Sequence, residues 1–176
     1  MKTSAELRWQ DWGQGIGQAN LANEKLELKS VYLHPGQLFV ATEPAVVTTI
    51  LGSCVAVCLW DLTLGIGGIN HYLLPTGSKM AATGLRYGNV AIELLLGQLA
   101  QAGAFAPNLR AKVIGGACVL DAMRGRENHL GDKNVEIAAK MLAEAGIPVL
   151  GWEVGGGRGR KLVFRPHDGS ALVKLL

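Results

Sequence analysis

Aromatic residues make up only 6% of the 176-residue chain and charged residues 18%. No uninterrupted apolar stretch runs past roughly seven residues, where a membrane-crossing helix needs ~20, so no membrane insertion is expected. Cysteines number 3, an odd count, which argues against a disulfide framework in a reducing cytosol. The 4 histidines do not join the cysteines at metal-site spacing, and Cys54 with Cys58 alone is a weak metal signal. No metal is expected. The net charge of +3 is mild, and basic residues cluster only at Arg158, Arg160 and Lys161. A duplex binder would concentrate them on one face, so nucleic acid is not an expected partner. Met1–Asn20 is polar and carries no apolar signal segment. The expected location is cytoplasmic.

What the chain has is apolar material and glycine. Hydrophobic residues reach 49% and the mean hydropathy is +0.23, enough for a buried core and too much for a disordered chain. The 24 glycines show no three-residue period, so they mark turns and not a collagen helix. The length suits one domain. Residues 1–29 lack apolar periodicity and read as an N-terminal extension; residues 30–176 read as the domain itself.

Strands are predicted over Gln37–Ala41, Val46–Leu51, Val55–Asp61, Ile66–Leu74, Ala111–Ile114, Val149–Val154, Leu162–Arg165 and Ala171–Leu175. The turn at Thr63-Leu64-Gly65 makes the third and fourth of these a hairpin. Ala91, Leu94, Leu95, Leu99 and Ala102 share one helical face within Tyr87–Ala102, and Val135, Ala138, Ala139 and Leu142 do so within Asp132–Ala145. Gly103 and Gly146 are placed to end the two helices. Hairpins and helical crossovers alternate, which predicts an α/β fold with a mixed sheet.

Chemistry is most plausible at Gly52-Ser53-Cys54. Glycine and serine before a cysteine permit a sharp turn that exposes the sulfur and gathers backbone N–H groups. Gly52 and Ser53 are thus the candidate backbone support for an oxyanion. A thiol nucleophile needs a base, and His71 lies 17 residues on, folded back by the hairpin. The residues alone leave an alternative open, in which Cys54 begins a buried strand and His71 satisfies a core hydrogen bond. Cys58 and Cys118 read as small buried hydrophobes. His34, His129 and His167 sit in apparent loops and are expected to be exposed. Gly155–Lys161 lacks phosphate-loop order and reads as a glycine-rich hairpin turn with a basic tip.

Longer motifs carry a resemblance. Thr48-Thr49-Ile50-Leu51-Gly52-Ser53-Cys54-Val55-Ala56-Val57-Cys58-Leu59 and Gly67-Gly68-Ile69-Asn70-His71-Tyr72-Leu73-Leu74-Pro75 closely resemble the CheD family of chemoreceptor glutamine deamidases. The resemblance continues through Arg86–Ala91, Lys112–Ala117, Asn134-Val135 and Gly155–Phe164. It implies a Cys-His-Thr catalytic set on Cys54, His71 and Thr48, the last lying six residues ahead of the cysteine. It also implies a three-layered α/β/β fold similar to the catalytic domains of glutamine-deamidating cytotoxic necrotizing toxins. No organic cofactor is implied. The implied substrate is a chemoreceptor cytoplasmic domain, and a CheC-type phosphatase is an implied partner. The alternatives are a regulatory binding module and a receptor methylesterase using the same site. Residues 1–29 and Arg124–Lys133 depart from the family pattern.

Overall fold

The computed structural model describes residues 28–78, 84–119 and 129–176. Most of the N-terminal extension and the first part of the Arg124–Lys133 departure lie outside the described residues. The described residues hold two α-helices, α1 (Gly88–Gln101) and α2 (Leu130–Glu144), and nine strands, five before α1, one between the helices and three after α2. The strands are β1 (Lys29–Tyr32), β2 (Gln37–Ala41), β3 (Ala45–Leu51), β4 (Val55–Asp61), β5 (Gly67–His71), β6 (Leu109–Gly115), β7 (Val149–Val154), β8 (Arg160–Phe164) and β9 (Ala171–Leu175). No helix among the described residues is long and apolar enough to cross a membrane.

The strands form two sheets, β1-β3-β8-β9 and β2-β5-β4-β6-β7. Both are mixed, with β1 parallel to β3, β6 parallel to β7, and the other pairs antiparallel. Val55, Val57 and Leu59 of β4 pack under Ile92, Leu95 and Leu99 of α1 and Ala138 and Leu142 of α2. Ala56, Cys58 and Trp60, on its other face, pack against Val47, Leu162 and Phe164 of the four-stranded sheet. The layers therefore run helix, sheet, sheet, as expected. All seven residues of β4 are buried because it has a layer on each face, which explains its unbroken apolar run.

Three expectations change on contact with this architecture. Gly155–Gly157 is no hairpin turn, because β7 and β8 belong to different sheets and the glycines carry the chain between them. Leu94 is exposed, and the buried face of α1 is Val90, Ala91, Ile92, Leu95 and Leu99. Strand β1 begins at Lys29, so a boundary drawn between residues 29 and 30 falls inside a strand paired to β3. Both helices close as expected, with Ala104 N–H donating to Leu99 O and Ile147 N–H to Leu142 O beyond the glycine that follows each helix.

Candidate active site

The antiparallel ladder of β4 and β5 extends past the strand ends through Val55 and Tyr72, which exchange backbone hydrogen bonds at 3.1 and 3.0 Å. In that register Ala56 lies opposite His71, and Cys54 stands diagonal to it. Diagonal neighbours on one face are within ~7–8 Å, reachable by long side chains. Cys54 packs against the cluster between the sheets. The imidazole of His71 points the same way, because it meets a side chain of β3 there. Thus the expected hairpin does bring Cys54 and His71 to one face.

That β3 side chain belongs to Thr49, whereas the resemblance implied Thr48. Thr49 Oγ1 lies 2.8 Å from His71 Nδ1. The reason is the two-residue period of a strand. Ala45, Val47, Thr49 and Leu51 face inward and are buried, while Val46, Thr48 and Ile50 face outward. Thr48 therefore stands on the opposite face of the sheet from the imidazole.

The hydroxyl of Thr49 also assigns the histidine tautomer. It donates its single proton to the Leu33 carbonyl at 2.7 Å, and so can only accept from His71 Nδ1. Nδ1 carries the hydrogen, and Nε2 keeps a free lone pair. Nε2 is buried, with no hydrogen-bond partner among the described residues. Burial holds the imidazole pKa down at about 4, the Leu33 carbonyl partly opposes this, and His34 adds to the lowering. At neutral pH His71 is an uncharged base.

This arrangement sets an acid sensitivity. The unfolded chain takes up the histidine proton near pH 6.5, but the folded protein only near about 4. Through that window the unfolded state binds more protons, so stability falls as pH drops and levels off below it. The expected loss is about 3 kcal/mol, read by urea unfolding at pH 7 and pH 4. A His71→Ala protein should lose much less across the same interval. An equal loss would show that other groups set the acid limit.

Cys54 is half-buried. Partial burial raises its pKa, and its own backbone N–H works in the opposite direction. No preformed thiolate is therefore built into the resting site. To act as a nucleophile, Cys54 would need a base to take its proton. Cys58 is fully buried and its pKa is pushed far up by desolvation, while Cys118 is also buried. Cys54 should therefore be alkylated first by limited iodoacetamide at neutral pH, as read by peptide mapping. Earlier labelling of Cys58 or Cys118 would contradict this ranking.

The turn before Cys54 is held from several sides. Ala117 N–H donates to Gly52 O and Gly116 N–H to Cys54 O, both at 2.8 Å. Among the described residues no group accepts from the N–H of Ser53. Gly52 itself has no positive φ, and a Cβ there would meet Val119 at an ordinary 3.5 Å. The glycine that the site demands is Gly115. It has φ 118, and a Cβ on it would come within 2.2 Å of the Cys54 carbonyl.

A family model described as CheD chemotactic sensory transduction matches residues 73–175. The chain is 51% identical over 146 residues to the probable chemoreceptor glutamine deamidase CheD 1 of Anaeromyxobacter dehalogenans, covering 83% of this chain and 84% of that protein. It is 38% identical to the probable chemoreceptor glutamine deamidase CheD of Sulfurimonas denitrificans, covering 85% of this chain and 96% of that protein. The chain belongs to the CheD family. A solved structure, the Bacillus licheniformis hypothetical protein YfiH, is similar with a TM-score of 0.42 at 18% identity, covering 72% of this chain and 60% of that one.

Within this CheD-family site, the sequence reading passed over Asn134. It is fully buried in α2, and its Nδ2 donates to the carbonyls of Ser53 and Leu73 at 2.9 Å each. Only its place in the Asn134-Val135 motif pointed to it. The other histidines stay outside the site. His34 is exposed as expected, but His129 and His167 are partly buried. His129 Nδ1 accepts from Asp132 N–H and caps α2, a structural task that a loop reading could not show.

Proposed function

We propose that this CheD-family protein hydrolyses glutamine side chains of chemoreceptors to glutamate, with Cys54 as nucleophile. The observation that carries the proposal is the free, uncharged Nε2 of His71 on the face that Cys54 occupies, in a chain whose relatives are named chemoreceptor glutamine deamidases. His71 Nε2 takes the thiol proton as the sulfur bonds to the carboxamide carbon. The transient oxyanion is stabilised by backbone N–H groups at Ser53 and Cys54. His71 then passes the proton to the departing nitrogen, ammonia leaves, and a thioester remains. Water attacks the thioester with its proton taken by Nε2, and the thiol is restored as glutamate forms. Thr49 holds the imidazole through Nδ1 throughout. Every atom moved comes from Cys54, His71, the substrate or water.

The product carboxylate is one that receptor methyltransferases can modify, which gives the reaction its place in chemotactic adaptation. A CheC-type phosphatase is the proposed regulatory partner. The test is to incubate the protein with a receptor cytoplasmic fragment and weigh the fragment. Deamidation adds about one dalton and releases ammonia, the outcome expected for acyl transfer from an amide to water. Methanol release from a methylated fragment without deamidation would assign the site to ester hydrolysis. An unchanged fragment would point to a binding module.

A further inference from the structure

Asn134 performs a task that the proposed chemistry does not itself use. An asparagine buried in a helix is a poor choice for stability. It is a weak helix former, and its polar amide must be satisfied away from water. Here the amide is only half satisfied, because Oδ1 is buried with no partner among the described residues. A leucine would fill similar space without that orphan acceptor.

What the asparagine does instead is join two chain ends. The ladder of β4 and β5 stops at the bridge of Val55 and Tyr72. Just beyond it stand the carbonyls of Ser53, immediately before Cys54, and of Leu73, which continues the strand past His71. Both accept from the two hydrogens of Asn134 Nδ2. The amide takes the place of the next rung of the ladder. Tyr72 ties the same residue down through its backbone, its buried hydroxyl donating to the main-chain carbonyl of Asn134 at 2.5 Å. Tyr72 and Asn134 thus form one strap from the rigid helix layer to the catalytic hairpin.

We infer that Asn134 is a positioning residue, which with Tyr72 holds Cys54 within reach of His71 Nε2. The inference rests on the reading of Cys54 and His71 as the catalytic pair. Displacing a reacting group by about 1 Å can cost ~10²-fold in rate. In full-length Asn134→Leu, kcat on a receptor fragment is expected to fall about 10- to 100-fold with KM within about twofold.

A second readout separates positioning from general loosening. In the wild-type background His71→Ala should slow iodoacetamide labelling of Cys54; in the Asn134→Leu background it should no longer do so. Such loss of coupling means that the two groups have parted. If Asn134→Leu fails to fold, Tyr72→Phe removes only the hydroxyl, and it should show the same loss of coupling with kcat about 3- to 10-fold down. Wild-type kcat in a folded Asn134→Leu protein, or coupling intact in the folded variant measured, overturns the inference. If Cys54→Ala is inactive in parallel, that failure leaves the catalytic pair standing. If Cys54→Ala is active, the pair itself is wrong.

Discussion

A Cys54→Ala protein is expected to release no measurable ammonia from a receptor fragment while keeping the wild-type circular dichroism spectrum. The methyl group cannot form an acyl intermediate, and no other thiol can take over. Cys58 is sealed between the sheets with a strongly raised pKa, and Cys118 is buried. The fold should tolerate the change because Cys54 contributes only a partly buried side chain to the inter-sheet cluster. Groups that act as one unit are strongly non-additive. The Cys54→Ala/His71→Ala double variant should therefore be little slower than Cys54→Ala alone. Clear turnover by the folded single variant would remove Cys54 from the nucleophile's role.

Replacing His71 by Ala comes next in size. General acid–base help is typically worth ~10²–10⁴-fold, and here the demand is at the upper end. The thiol pKa is raised, so little thiolate exists at neutral pH without the base. The departing nitrogen also needs the same proton back. Steady-state assays should place the loss in kcat and leave KM nearly unchanged, since His71 is buried, offers no exposed surface to bind substrate, and acts on the proton in flight. The two neighbouring threonines give a sharper contrast. Thr49→Val removes the acceptor for Nδ1–H and frees the imidazole to turn, for an expected loss of about tenfold. Thr48→Val faces outward and should stay near wild type. The reverse ranking would mean that the imidazole is held by the other residue during turnover.

The contrast between these threonines shows how far the sequence could be read. Strands β2, β4, β7 and β9 were predicted with the bounds observed, because glycine, proline and aspartate punctuate their ends. The β4–β5 hairpin was equally legible, and with it the approach of Cys54 to His71. The face of β3 was not. Val46, Val47, Ile50 and Leu51 are all apolar, so either parity could have been the buried one, and only packing against the second sheet selects Thr49. Which strands join which sheet was hidden for a similar reason. Nothing in Gly155–Gly157 distinguishes a hairpin from a crossing between layers. Asn134 was harder still, since its partners lie 61 and 81 residues away and its role depends on α2 docking over the hairpin. Local pattern reports local pairing; the side-chain bonds that complete a site between distant elements emerge only when the layers are assembled.

The central claim is that glutamine becomes glutamate through a thioester on Cys54, and hydroxylamine interrogates that intermediate directly. Hydroxylamine competes with water for an acyl-enzyme but has no purchase on a direct attack of water upon the amide. A receptor fragment should be incubated with the wild-type protein in rising hydroxylamine and then mapped by peptide mass. The expected result is a target residue that gains about 16 daltons as the hydroxamate, at the expense of the about one-dalton gain of hydrolysis, in a ratio that rises with hydroxylamine. Glutamate alone at every hydroxylamine concentration would contradict the thioester, and with it the role assigned to Cys54.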